Sequence, residues 1–455
     1  GAAAGVASVA NVGAYATPAG VVIQLLIGPW VATSIYDIRT IDIGIKAVLT
    51  HTLPTGPYRG AGRPEAIYMI ERLMDEAARQ TGIDRTELRR RNMIRPEQMP
   101  YKNAMDKTYD SGKFAHMMDR ALALADWKGF GGRAAASRSR GKLRGQGIAT
   151  FIEWTGADVF AEVIDVAVSG DGQIEIFTAA QPMGQSLATT FTQLAVDVFG
   201  VAADRIKVLF GDTDRGTGFG SAGSRSLFVV GSAVRVASER TVAKAHDLAA
   251  SELEAAADDI EYRDGVFSIA GTDRHVGLFD LAQRQANRRI ELHSQSSVDA
   301  PSWPNGCHIC EVEIDPDTGA IALDGYWSVN DVGRVVNPMV VIGQLAGGAV
   351  QGIGQALSER IVYNAEGQAI TASFMDYAIP RASTTCAFEM TMDESAPCLT
   401  NPMGVKGVGE LGTIGATPAV VNAVVDALAR NGFAESARGL QMPLDSEQVW
   451  RAMHV

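Results

Sequence analysis

Apolar residues recur at helical spacing through 65–78, where Ile67, Ile70, Leu73 and Ala77 share one face behind an opening Pro64. This pattern predicts a long helix. Asp84-Arg85-Thr86-Glu87 has the make-up of a capped start and predicts a second, short helix with a basic end at Arg89-Arg90-Arg91. Residues 93–112 are polar and read as a connection, whereas 114–127 read as helix. The Gly, Ser and Arg-rich stretch 129–145 predicts a linker.

Beyond it the period of the pattern changes. Residues 160–178 read strand, turn, strand about Ser169-Gly170-Asp171-Gly172, and 310–329 repeat the theme about Asp315-Pro316-Asp317-Thr318-Gly319. A loop and then a helix follow each. The expected fold is α+β with two related halves, and internal symmetry is a further expectation. The apolar repeat in 345–357 predicts a packed helix that Gly347, Gly348 and Gly352 thin enough to admit close neighbours.

Between these elements lie four glycine-rich loops. The first is Pro57-Tyr58-Arg59-Gly60-Ala61-Gly62 and the second is Gln181-Pro182-Met183-Gly184-Gln185-Ser186, which opens a helix over 187–199. The third runs from Gly216 to Gly223 and continues Ser224-Arg225-Ser226 into a helix over 227–254. The fourth, Gly404-Val405-Lys406-Gly407-Val408-Gly409-Glu410-Leu411-Gly412, carries one carboxylate near its end and precedes a helix-like run over 418–430. Backbone N–H groups in glycine turns and at helix starts attract anions such as phosphates. Arg59, Gln185 and Gln344 add side chains that donate in fixed directions. A carboxylate flanked by small residues can be approached by a bulky ligand, which makes Glu410 a candidate site residue.

Two loops match G-x-G-x-x-G, at 218–223 and 407–412. The first follows its strand at a distance and would set Asp212 and Asp214 near a pyrophosphate; the second follows no clear strand. A dinucleotide fold is not the expectation. Cys307 and Cys310 form a C-x-x-C, yet no second pair is near and the segment continues as a strand, so core positions are expected. Cys386 and Cys398 stand alone, and a reduced intracellular, cytoplasmic setting is the default. The seven histidines show no metal-ligand spacing.

At 455 residues the chain can bury a large core and hold two or more domains. Its net charge of −12 and lack of a basic arm argue against a nucleic-acid partner. The apolar run 21–27 holds Gln24 and breaks at Gly28-Pro29, far short of a membrane span. The chain opens Gly1-Ala2-Ala3-Ala4 with no charged region before 6–10, so a processed product or fragment is expected rather than a signal peptide.

Taken in order, the loops carry a resemblance. Residues 52–66, Gly211-Asp212-Thr213-Asp214, Gly223-Ser224-Arg225-Ser226, 331–338, Gly343-Gln344 and 404–412 together resemble the molybdenum-binding large subunit of the xanthine dehydrogenase and aldehyde oxidase family. The bacterial branch similar to carbon monoxide dehydrogenase large subunits is the nearest type, and the likeness spans nearly the whole chain. It implies residues 1–106 as the remainder of a first molybdopterin-binding domain and 107–455 as a second. It implies molybdenum held by a molybdopterin dithiolene, often as the cytosine dinucleotide. By matching position, Glu410 is the implied general base, taking a proton from a metal-bound hydroxyl that attacks an electron-poor carbon while hydride passes to a sulfido ligand. Arg59, Met183, Gly184, Gln185, Ser221, Ala222, Gly223, Ser224, Ser226, Gln344 and the backbone of Lys406, Gly407, Val408 and Gly409 are implied contacts to the pterin and its phosphates.

Three departures matter. The copper-binding cysteine of true carbon monoxide dehydrogenases would fall in 58–63, which holds none, and this argues against carbon monoxide as substrate. Ser186 stands where the family usually has Gly. The family's amino-terminal part, with a further cofactor loop, is absent from this sequence, so a partner polypeptide is expected to supply it. Electrons would leave through separate [2Fe–2S] and FAD proteins, because the cysteine spacing here holds no cluster. The expected substrate is an aldehyde or an aromatic N-heterocycle, with Trp154 and Phe160 as pocket candidates or core. The alternatives are a non-catalytic cofactor-carrier or assembly subunit of the same fold, and a nucleotide-dependent dehydrogenase.

Overall fold

A computed structural model of the chain describes residues 2–454. Strands β1 (Ala2–Gly13) and β2 (Ile38–Leu49) pair in parallel near the amino end. Helices α1 (Arg63–Thr81), α2 (Arg85–Asn92), α3 (Phe114–Leu124) and α4 (Phe130–Ser139) follow. Strand β3 (Leu143–Ile152) leads into the hairpin β4 (Ala161–Ser169) and β5 (Ile174–Thr178), then α5 (Leu187–Phe199), β6 (Ile206–Leu209) and α6 (Ser232–Leu253). Next come β7 (Arg289–Ser297), the hairpin β8 (Asn305–Ile314) and β9 (Ile321–Asp331), α7 (Pro338–Leu357), β10 (Phe388–Asp393) and α8 (Leu411–Arg430).

The recurrence read from the hairpins extends to whole sheets. One sheet has strand order β7-β4-β5-β6 and the other β3-β8-β9-β10. In each, an outer strand runs antiparallel to a hairpin, whose second strand pairs in parallel with the strand that returns after a helix. The third and fourth glycine loops therefore occupy equivalent places, each between a returning strand and a long closing helix. The two halves are related α+β units.

Packing follows the side-chain periods. In β8 successive residues face opposite ways, so Cys307 and Ile309 join the core that includes Met117 and Met118 of α3, while Cys310 and Val312 join the core under α8. Cys307 and Cys310, three apart, thus point to opposite sides of the sheet. His308 is buried and bonded to Tyr326 Oη at 2.6 Å and Asn330 Oδ1 at 3.2 Å, and burial lowers its pKa to about 4. On β3, a Cβ at Gly145 would lie 2.1 Å from Ala423 O, and one at Gly147 would lie 2.0 Å from Ala419 O. Those glycines let α8 settle directly on the strand. Helices α7 and α8 are long and apolar enough to cross a membrane by composition, but they pack on each other and α8 is almost wholly buried.

Four expectations change. The stretch read as a linker forms α4 over Phe130–Ser139, where exposed small and basic residues keep helical geometry. The buried stripe of α1 is Ile67, Ile70, Met74 and Ala78, and Leu73 is exposed, because Glu71 faces inward to pair with Arg89. The closing helix begins at Leu411, with Pro418 inside it rather than at its start. The helix over 227–254 opens with a π-helical turn, Ser226–Gly231, before α6.

Candidate functional site

Glu410, at the end of the fourth loop, occupies the N-cap position of α8, and the first and third loops reach it. From the first loop, Gly60 N donates to Glu410 Oε1 at 2.9 Å. From the start of α1, Arg63 Nη2 donates to Oε2 at 2.6 Å. From the third loop, Ser224 Oγ lies 3.3 Å from Oε2 and accepts the Glu410 N–H at 3.0 Å. The side chain stays 15% exposed, which leaves it reachable. Gly62 makes the turn that delivers Arg63: its φ is +82°, and a Cβ there would lie 2.5 Å from Ile23 O.

Arg63 is buried and also donates to Gly60 O at 2.5 Å and to Trp154 O. Its Nη1 lies 3.7 Å from Oε1 of Glu153, the residue after β3, whose side chain is wholly buried. Because β3 and α8 run side by side on their close-packed glycine face, Glu153 and Glu410 come together at one end. Ser224 Oγ contacts Glu153 Oε1 at 2.5 Å and so bridges the two carboxyl groups. Burial pushes the Glu153 carboxyl up to about 8; Arg63 opposes the shift, and the Glu410 charge adds to it.

Arg59 is held by protein on every nitrogen: Nε to Gly409 O at 2.5 Å, Nη1 to Gln351 Oε1 at 3.2 Å, and Nη2 to Gln344 O and Oε1 at 3.1 and 2.9 Å. Burial lowers its pKa, against the neighbouring Glu410 and Glu153. Arg59 and Gln344 therefore lock the fourth loop to α7. Lys406 turns its side chain inward to Asp331, its N–H goes to Val332 O at 2.9 Å, and Gly407 N goes to Ser302 Oγ at 3.2 Å. The N–H groups of Val408 and Gly409 have no acceptor among the described residues.

The second loop lies further out. Gln185 folds onto its own loop, accepting from Met183 N at 2.6 Å and donating to Gln181 O at 2.9 Å. Met183 is 67% exposed, and a Cβ built on Gly184 would meet open space. Gln181 N donates to Ser221 Oγ at 3.0 Å, and Ser226 Oγ joins the same atom at 2.9 Å, so loops two and three are stitched together. Gly223 O accepts from Gly156 N at 2.9 Å, and Ala222 O from Arg225 N at 3.3 Å. Arg225, fully buried, pairs with Glu162 and donates to Gly220 O and Val159 O. Trp154 is core: it is 2% exposed and edge-on to Trp30. Phe160 is half-buried against the first sheet's core.

Arg63, Glu153 and Arg225 were not among the sequence candidates. One signal was present for Glu153, the sole charge within the apolar run 147–156.

Two family models, each described as a molybdopterin cofactor-binding domain, match residues 2–93 and 120–386. The gamma subunit of the 6-hydroxypseudooxynicotine dehydrogenase complex of Paenarthrobacter nicotinovorans is 33% identical over 430 residues, 91% of this chain and 53% of that relative. The carbon monoxide dehydrogenase large chain of Hydrogenophaga pseudoflava is 31% identical over 442 residues, 92% of this chain and 54% of that one. The crystal structure of quinoline 2-oxidoreductase from Pseudomonas putida 86 superposes with a TM-score of 0.89 at 30% identity, covering 98% of this chain and 59% of that chain. The chain belongs to the molybdenum-binding large subunits of the xanthine dehydrogenase and aldehyde oxidase family. It spans about half the length of the curated relatives it matches.

Proposed function

We propose that this chain is the catalytic molybdenum subunit of a hydroxylase that oxidises an aromatic N-heterocycle or an aldehyde, with Glu410 as general base. The observation that carries the reading is the asymmetric seat of Glu410. Its Oε2 is occupied by Arg63 and Ser224, while Oε1, among the described residues, accepts only the Gly60 N–H and keeps a lone pair for a reacting proton. An ionised carboxylate with such donors is ready to accept.

The residues present suit a pterin-held molybdenum. The open N–H groups of Val408 and Gly409 offer donors for an anionic group beside Glu410, and the bare face over Gly184, in the loop further out, leaves space for its bulk. The cofactor, when bound, supplies substrate activation and takes up two electrons. Gln185, Met183, Ser221, Ser224 and Ser226 border the second and third loops and serve as its further contacts, with Arg59 and Gln344 holding the fourth loop in place. The gap between the two matched segments supports two cofactor-binding domains, over 1–106 and 107–455. Partner [2Fe–2S] and FAD proteins would carry the electrons away, and the cytosine dinucleotide is the pterin form we propose.

The heterocycle is favoured over the aldehyde because the relatives include proteins named for a nicotine derivative and for quinoline. No cysteine lies in 58–63, which speaks against carbon monoxide. The test is Glu410→Gln in the native complex, with quinoline-type heterocycles, a dye acceptor and molybdenum content measured separately. Full cofactor with turnover reduced at least about 100-fold is expected, since general-base catalysis contributes roughly 10² to 10⁴. Unchanged turnover at full cofactor sinks the assignment.

A further inference from the structure

Glu153 is a second carboxyl group within the site, and the proton chemistry above makes no use of it. Its donors are far poorer than those of Glu410. Ser224 Oγ touches Oε1 at 2.5 Å, Arg63 Nη1 stands off at 3.7 Å, and Oε2, although buried, has no partner among the described residues. Four groups face it: Arg63 at the head of α1, Arg59 in the first loop, Glu410 at the head of α8 and Ser224 in the third loop.

The Ser224 hydroxyl has one proton and lies between two carboxyl groups. With both ionised, that proton serves one oxygen, and the other faces a lone pair. With Glu153 protonated, both contacts are hydrogen bonds in a single direction, Glu153 O–H to Ser224 Oγ and Ser224 O–H to Glu410 Oε2. The backbone N–H of Glu410 completes the hydroxyl by donating to Oγ at 3.0 Å.

Resting on the reading of Glu410 as base, we propose that Glu153 is a positioning residue that rests as the neutral acid and, through Ser224, aims a hydrogen bond at Glu410 Oε2. Glu410 then carries the negative charge of the pair alone and keeps a lone pair on Oε1, beside the Gly60 contact, for the reacting proton. Burial and the Glu410 charge, opposed by Arg63, Ser224 and Arg59, set the Glu153 carboxyl at about 8, so it is neutral at pH 7. At higher pH it loses its proton, the Ser224 proton turns to Glu153, and the directed bond to Glu410 is lost.

The experiment is pH-difference infrared spectroscopy of the native complex beside pH–rate profiles, for wild type, Glu153→Gln and Ser224→Ala. The wild type is expected to show a carboxylic-acid carbonyl band at pH 7 that bleaches near pH 8, matched by an inflection in turnover. Glu153→Gln, which mimics the neutral acid, should lack both and keep turnover at pH 7 within about fivefold, the worth of one neutral hydrogen bond. Ser224→Ala should keep the band at a shifted frequency, which preserves the test if Glu153→Gln fails to fold. No acid band at pH 7, a band indifferent to both substitutions, or an inflection that survives Glu153→Gln overturns the proposal. If instead Glu410→Gln leaves turnover unchanged, the base assignment falls while the band still reports the state of Glu153.

Discussion

Lys406 Nζ lies 2.7 Å from Asp331 Oδ2, and neither side chain is exposed. Asp331 closes β9 and also accepts from Asn305 Nδ2 at 2.8 Å and Gly333 N at 3.0 Å. The one lysine of the fourth loop is therefore a tie between the loop and the second sheet. Burial raises the Asp331 pKa and Lys406 opposes that shift. Removing the lysine strands a buried carboxyl group. Lys406→Met should lower unfolding stability by about 3–5 kcal/mol, measured by urea titration. A loss below about 1 kcal/mol would show that the loop is held by its other contacts.

Arg63 joins Gly60 O, Trp154 O and Glu410 Oε2 with one planar group. A lysine cannot span those three directions. Arg63→Lys should keep the charge but lose the geometry, and kcat should fall roughly 10- to 100-fold, the worth of a hydrogen bond to a charged group. Turnover per bound molybdenum is the measurement. A fall in cofactor content alone, at normal turnover per metal, would make Arg63 a folding residue only.

Gly412 and Gly348 set how closely α7 and α8 cross. A Cβ at Gly412 would lie 2.3 Å from Leu345 O and 2.8 Å from Ala349 N. Alanine is the better helix former by about 1 kcal/mol, so helix propensity alone predicts stabilisation. The contact with backbone reverses that sign. Gly412→Ala should destabilise by about 1–3 kcal/mol and displace Glu410 two residues away. Gly131→Ala in α4 is the control: its Cβ meets nothing, and Tm should hold or rise.

The hairpins and most helices were legible in the sequence because each rests on local pattern. A period-2 run about a glycine turn announces a hairpin, and Ile67 and Ile70 announced the inner face of α1. Leu73 misled because the inward place went to Glu71, whose partner Arg89 lies on another helix. The same limit hid the rest of the site. Arg63 and Glu153 lie 90 positions apart in sequence, and Glu410 is more remote still. They meet only because Gly145 and Gly147 let α8 lie on β3, a long-range fact that no local window contains. That Arg59 and Gln344, each expected as a ligand contact, also hold each other was hidden for the same reason.

The raised carboxyl of Glu153 also makes stability depend on pH in a stated direction. Its native pKa is about 8, while an unfolded glutamate titrates near its ordinary value of about 4.3. Below that lower value both states hold the proton and the group contributes no slope. Between the two values the native state keeps a proton that the unfolded state has released, so stability falls as pH rises. Each pH unit inside the window costs about 1.4 kcal/mol at most, and the loss levels off once Glu153 ionises in the fold. Glu153→Gln removes this slope and nothing else that titrates. The difference in unfolding free energy between variant and wild type should therefore grow in the variant's favour from pH 5 to pH 8, by urea titration at several pH values. A constant difference would mean that Glu153 is already ionised in the native protein at pH 5, with Arg63 and Arg59 sufficient to hold two charges.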